Sequence, residues 1–319
     1  MKVDIDLLKK FENGLEPSRP EASKIPARVL GYGEISTVFA IEGQDKLACK
    51  RMPIFQCQEE LDQYQVIYDE YNRLLKGEVG IEVPPYDCVA FDTNRGYIVC
   101  FDVQERQSSE SFGNRAIHIL SEDEITVLVR LILKNLLKIW EFNRKNKSLQ
   151  LGIDGQISNW VIRGFKPDKP QVGPTAKLFY IDTSTPFIRK DGVEQLNPEL
   201  FMRSAPSFLR WLIRWLFLKD VMTRYYDFHL VAVDLIANFY KEQRPELIPA
   251  LVEVANDFFD TEAKELNITP ITVKEVESYY KEDAIIWTVF LALRRFDRFL
   301  HKWILRRPYV YILPGKIKR

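Results

Sequence analysis

The sequence predicts an α+β protein of two lobes, a small β-rich one with a single helix followed by a larger, mainly helical one. Three observations lead there. Between Arg28 and Val103, short apolar and β-branched runs alternate with glycine-containing turns. Beyond Ser121, apolar residues recur at three- and four-residue spacing over long stretches. The chain has 319 residues, 46% apolar and 28% charged, enough to bury one large core or two smaller ones and too apolar for a disordered or collagen-like chain.

In chain order, residues 1–27 form an N-terminal extension: a short helix within MKVDIDLLKKFENG, then a lead-in punctuated by Pro17, Pro20 and Pro26. The β-rich lobe is expected over 28–104. Its first strands, Arg28–Leu30, Thr37–Ile41 and Leu47–Met52, are separated by turns at Gly31/Gly33 and at Glu42-Gly43-Gln44-Asp45. The spacing of Leu61, Tyr64, Tyr68, Tyr71, Leu74 and Leu75 predicts a helix over Glu59–Lys76, with Gly77 as its stop. Cys88–Asp92 and Gly96–Val103 then form a hairpin around Asp92-Thr93-Asn94-Arg95-Gly96. The helical lobe is expected over 105–319. It opens with a capping box, Ser121-Glu122-Asp123-Glu124, ahead of a helix through Phe142. One pair of short strands, Trp160–Ile162 and Ala176–Ile181, brackets the insert Arg163–Thr175, and apolar stripes at 207–220, 225–240, 246–260 and 279–304 predict helices after it.

Composition removes several function classes. Lys plus Arg and Asp plus Glu both total 45, so no net charge draws the whole chain to nucleic acid or to an anionic membrane. The first apolar stretch carries acids and lacks a signal peptide's uncharged h-region, so a cytoplasmic location is expected. Cys49, Cys57, Cys88 and Cys100 include no C-x-x-C pair, and His118, His229 and His301 lie far apart; reduced thiols are expected rather than a disulfide framework or a zinc site. Trp211–Leu218 and Ala284–Leu293 are too short or too interrupted to span a bilayer and read as core helices. One local excess stands out in Leu293–Arg319, where Arg294, Arg295, Arg298, Lys302, Arg306, Arg307, Lys316, Lys318 and Arg319 face Asp297 alone. With Phe296, Phe299, Trp303, Tyr309 and Tyr311 interleaved, this segment reads either as a terminal helix packing its aromatic face on the lobe or as a contact for an anionic surface.

Four motifs carry chemistry. Gly31-Tyr32-Gly33-Glu34-Ile35-Ser36-Thr37-Val38 has the form G-x-G-x-x-S-x-V, in which glycines let backbone amides approach a phosphate. A dinucleotide fold needs a helix directly after such a loop, whereas Thr37–Ile41 reads as a strand, so the loop is a hairpin flap. Leu47-Ala48-Cys49-Lys50 ends an apolar run in a lysine, and the following helix presents Glu70, with Asp69 a rival and Glu59 and Glu60 weaker ones. Asp154 and Asn159 stand in D-x-x-x-x-N spacing just before a strand. Asp182 ends the next apolar strand, Phe179-Tyr180-Ile181.

Taken in order, these motifs resemble the protein kinase-like superfamily, from about Val29 to Asp182. The resemblance implies a bilobal protein kinase-like fold that uses ATP and Mg2+. It places Gly31, Gly33, Ser36 and Val38 at the nucleotide, Lys50 on the α- and β-phosphates with Glu70 holding it, Asp154 as catalytic base, and Asn159 and Asp182 as magnesium ligands. It also puts the interlobe hinge after Tyr97–Phe101, with backbone groups of Cys100–Val103 meeting adenine. Gly152 and Ile153 stand where H-R-D has His and Arg, Thr183-Ser184 replace the Phe-Gly of D-F-G, and A-P-E is missing. Gln156 replaces the lysine usual two residues after the catalytic aspartate in serine/threonine kinases, so a protein substrate is not supported. The chain is more similar to the aminoglycoside phosphotransferase and choline kinase side of the superfamily, although it lacks the H-G-D loop. A phosphotransferase acting on a hydroxyl of a small-molecule substrate is the expectation, and a pseudokinase serving as a nucleotide-binding or protein-interaction module is the alternative.

Overall fold

A computed structural model describes residues 1–33, 35–203 and 223–315. The stripe at 207–220, with Trp211–Leu218, and the last basic residues Lys316, Lys318 and Arg319 lie outside the described residues.

The β-rich lobe is a five-stranded antiparallel sheet in the order β1-β2-β3-β5-β4, built from β1 (Ala27–Tyr32), β2 (Thr37–Ile41), β3 (Leu47–Phe55), β4 (Tyr86–Asp92) and β5 (Ile98–Glu105). Alternation along the strands divides the sheet's side chains between two cores. Phe39, Cys49, Val99, Phe101 and Val103 share one core with Leu8 and Phe11 of helix α1 (Ile5–Gly14) and with Ile312 near the end of the chain. Met52, Ile98 and Cys100 share the other with Leu61, Tyr64 and Tyr68 of helix α2 (Gln58–Arg73).

The covering of the first face is locked by charge. Glu12 of α1 and Arg51 of β3 are both almost completely buried and pair through two contacts of 2.7 Å. The Arg51 guanidinium also donates to the carbonyl of Val310 at 2.9 Å. Burial pushes the Glu12 carboxyl up, but Arg51 and the Tyr97 hydroxyl outweigh it and hold the group below its ordinary range.

Helix α2 runs into a π-helical turn, Leu74–Val79, and stops at Gly80 rather than at Gly77. Gly80 takes a left-handed φ of 78°, which glycine adopts at little cost.

A third core forms around α3 (Glu122–Lys145), α4 (Phe228–Lys241) and α5 (Ile248–Thr261), with Val276 of α6 (Val273–Phe299), and takes in Tyr71 of α2 and Leu74 and Leu75 of the π-helical turn. The Ser121/Glu124 capping box forms as the sequence predicts, and a second, Thr272/Glu275, starts α6. The expected short pair of strands is present as β7 (Trp160–Ile162) and β8 (Leu178–Tyr180). A small sheet that the sequence reading did not include joins β6 (Leu149–Leu151), β9 (Ile188–Lys190) and β10 (Val193–Glu194). Its strands are two or three residues long, too short for a period-2 pattern to register. The architecture is therefore the expected α+β one, an antiparallel sheet with few helices followed by a mainly helical part. Among the described residues no helix is long and apolar enough to cross a membrane.

Candidate active site

Strand β3 brings Lys50 onto the sheet face that carries α2, directly opposite Asp102 of β5 in the antiparallel register. The Lys50 amino group reaches Asp182 Oδ1 at 2.7 Å and also donates to the Ser184 hydroxyl, which in turn donates to Asp182 Oδ1 at 3.2 Å. Burial pushes Asp182 up, yet the Lys50 charge and these hydrogen bonds prevail and hold its carboxyl below the ordinary value. Two of the predicted residues, 132 positions apart, thus form one ionic unit.

Glu70 is not part of it. Helix α2 buries Tyr64, Tyr68 and Tyr71, an i, i+4, i+7 stripe, and Glu70 follows Tyr68 by about 200° of helical turn. Its carboxylate pairs with Lys190 of β9 at 2.8 Å. Glu60, another candidate, is held by Arg203 through two contacts of 2.6 Å.

The acid that faces Lys50 across the strands is Asp102. Its side chain is buried, and the Tyr64 hydroxyl lies 2.6 Å from Asp102 Oδ2 and 3.0 Å from the Ser184 carbonyl. Burial pushes Asp102 up to about 6, with Tyr64 and Lys50 pulling the other way. Cys88 and Cys100 adjoin it, their sulfurs 3.2 Å apart. Of the four free cysteines, Cys49 and Cys100 are buried and Cys88 half-buried, whereas Cys57 is exposed rather than in the core.

Asp154 sits in a loop whose shape explains the missing H-R-D residues. A Cβ at Gly152 would come within 2.8 Å of the Tyr225 carbonyl oxygen, leaving no room for a side chain without a backbone shift. Ile153 is fully buried and its amide donates to that same carbonyl at 3.0 Å. The Asp154 carboxylate accepts from the Gln156 amide at 3.1 Å, and Asn159 Nδ2 donates to the Asp154 carbonyl at 3.3 Å. The Ile181 amide donates to the Asn159 carbonyl at 3.0 Å, tying this loop to the residue before Asp182.

Electrostatics single out Asp154. Burial first, then repulsion from Asp234 and Asp182, pushes its carboxyl well above the usual range. Asp234 belongs to the buried face of α4, where burial and repulsion from Asp283 raise its own carboxyl. From the last residue of α4, Lys241 reaches Gln156 Oε1 at 3.4 Å, and its charge favours ionised Asp154. A cation therefore approaches the Gln156 position from α4 instead of from the loop.

At the glycine loop, the Gly33 amide donates to the Ser36 carbonyl at 3.0 Å, and a Cβ on Gly33 would stand 2.5 Å from Ser36 Oγ. Gly33 and Ser36 thus need one another to close the turn between β1 and β2, where Val38 lies on β2 opposite Gly31. Ile35, Ser36 and Thr37 line a hollow with Arg294, Tyr311 and Ile312, so the end of the chain borders the loop. The adenine assignment fails at Cys100–Val103. These residues lie in the middle of β5, paired with β3 on one side and β4 on the other, so their backbone groups are already engaged.

The sequence pattern alone does not point to Asp102, Tyr64, Ser184, Asp234 or Lys241 as residues of this site. Each belongs to an apolar or unremarkable stretch, and only Ser184, two residues after Asp182, carried a positional signal.

Among solved structures, the chain is similar to the GDP complex of wild-type aminoglycoside 2'-phosphotransferase-IIIa, at 13% identity and a TM-score of 0.34, over 74% of this chain and 92% of that one. It is also similar to a GDP and kanamycin complex of an aminoglycoside phosphotransferase, at 12% identity and a TM-score of 0.32, over 74% and 93%. At these values the functional reading rests on the chain's own residues. No curated protein matches the sequence. The family whose model does match covers residues 18–298, and the chain accordingly belongs to the family of unknown function DUF6206.

Proposed function

We propose that this protein is an ATP- and magnesium-dependent phosphotransferase acting on a hydroxyl of a small molecule. The observation that carries the reading is the ionic unit Lys50–Asp182–Ser184 together with the half-buried, charge-crowded Asp154. Phosphoryl transfer asks a protein chiefly for positioning and charge stabilisation. Lys50 would leave Asp182 for the nucleotide phosphates, under the flap of Gly31, Gly33 and Ser36. Asp154, once ionised, would orient the attacking hydroxyl and accept its proton.

The donor set suits magnesium. Asp182 and Asn159 offer hard oxygen ligands, and the repulsion of Asp154 by Asp234 and Asp182 is what a divalent cation relieves. Bound there, the ion would supply charge neutralisation to the phosphates. The small-molecule part of the reading is supported by Gln156 at the position where protein kinases carry lysine, and by the absence of an arginine to receive a phosphorylated activation loop.

Thermal melting with ATP tests this directly. ATP with magnesium is expected to stabilise the wild type, by about 2.7 kcal/mol at a hundredfold excess over Kd, and the gain should disappear in Asp182→Ala. Stabilisation indifferent to magnesium would favour the pseudokinase, and no response would overturn the nucleotide reading.

We further propose Asp102, in place of Glu70, as the acid that positions Lys50. Glu70→Ala should then leave the KM for ATP within about twofold of the wild type, while Asp102→Asn raises it about tenfold or more, equivalent to about 1.4 kcal/mol. Equal losses in steady-state assays would return Glu70 to the site.

A further inference from the structure

Where α6 ends, the chain exposes a run of large apolar side chains. After Phe299 the helix passes through a π-helical turn, Leu300–Ile304, and the chain reverses at Arg306, a non-glycine residue with φ of 53°. The seven residues from Lys302 to Pro308 are all exposed, and among them stand Trp303 at 67%, Ile304 at 63% and Leu305 at 52%. Phe299, one turn before Trp303, is 51% exposed. Lys302, Arg306 and Arg307 flank these apolar side chains, and the nearest acid in sequence, Asp297, is buried.

The tip is also held from both sides. Before it, α6 buries Leu291, Arg294 and Asp297. After it, Ile312 packs into the core under the β-sheet, and Arg295 donates to the Gly315 carbonyl at 2.8 Å. The exposed tip is therefore presented on an anchored frame.

We propose that Phe299 to Arg307 is a peripheral docking site for an anionic lipid surface. Large apolar side chains ringed by lysine and arginine fit the boundary between headgroups and acyl chains, where tryptophan favours the interface and the cations meet anionic headgroups. A second copy of the chain fits poorly, because a two-fold contact through this patch would set Arg306 and Arg307 against their own equivalents with no acid between them. Nucleic acid would engage the cations and leave Ile304 and Leu305 without a counterpart. The contact is independent of the phosphotransferase reading, since nothing in it involves the nucleotide.

Co-sedimentation of the full chain with vesicles tests the proposal in the absence of ATP. Binding is expected to vesicles of phosphatidylcholine mixed with phosphatidylglycerol, to weaken by about tenfold or more on pure phosphatidylcholine, and to fall as salt rises. The double substitution Arg306→Glu/Arg307→Glu and the single change Trp303→Ala should each lower vesicle affinity by about tenfold or more without moving the melting temperature. Phosphatidylcholine brominated on its acyl chains, mixed with phosphatidylglycerol, should quench part of the tryptophan emission in the wild type and less in Trp303→Phe, a readout separate from affinity. Failure to bind the mixed vesicles, equal binding to both vesicle types, or self-association or oligonucleotide binding in place of vesicle binding would overturn the assignment.

Discussion

Asp154→Asn is expected to lower turnover by about 10²–10⁴-fold while leaving the thermal shift with ATP and magnesium intact, because the substitution keeps the shape of the loop and removes the proton acceptor. The separation of turnover from binding is what distinguishes a base from a structural carboxylate. A pH profile sharpens the test. Burial and the charges of Asp234 and Asp182 raise the Asp154 carboxyl, so the ionised form needed to accept a proton is lost on acidification well above the pH of about 4 at which an exposed aspartate titrates. The acid limb of kcat/KM should accordingly lie above that pH. Asp234→Asn removes one of the repelling charges, makes Asp154 easier to ionise, and should move that limb to lower pH. An acid limb that stays in place in Asp234→Asn would detach α4 from the site.

The second large effect concerns stability. Arg51→Met leaves Glu12 buried with its principal counter-charge gone, and breaking such a pair from one side costs about 3–5 kcal/mol. Equilibrium unfolding in urea measures it. The double substitution Glu12→Leu/Arg51→Met removes both charges and should recover most of the loss, because the desolvation of an unpaired carboxylate is the main part of it. The sign with pH follows from Glu12, whose carboxyl is lower in the folded chain than in the unfolded one. Its contribution is present above the unfolded value and declines as pH falls through the folded one, so the wild-type advantage over Glu12→Gln should shrink on acidification. A double variant as unstable as Arg51→Met would show that the packing of Arg51, rather than its charge, is what matters.

Which parts could be read from the sequence follows from how local their causes are. Strands β1 to β5 and helices α2 to α6 declare themselves through apolar periodicity and caps, and the Ser121/Glu124 box forms as written. Lys50, Asp154, Asn159 and Asp182 stand out because each adjoins an apolar strand in a recognisable order. Glu70 shows where linear reasoning gave way. Spacing from Lys50 along the chain selected it, but the face that α2 turns to the sheet is fixed by which tyrosines pack there. Asp102 is hidden for the converse reason: within Cys100–Val103 it reads as one polar residue in a buried strand, and only its register with Lys50 motivates the role proposed for it. Asp234 is similarly masked by the apolar run of α4, since its significance comes from Asp154, 80 positions away.

The contact between the Arg51 guanidinium and the Val310 carbonyl spans 259 positions of sequence. It bears on the order of events as the chain is made. Strands β1 to β5 leave the ribosome about 200 residues before Val310 and Ile312, yet one face of their sheet is finished by Ile312 and the third donor of Arg51 waits for residue 310. The sheet is thus synthesised well before the residues that complete its packing. Contacts this distant in sequence slow folding, because the loop between them must close before they contribute. Until then the nascent β-lobe exposes apolar surface that a chaperone would cover.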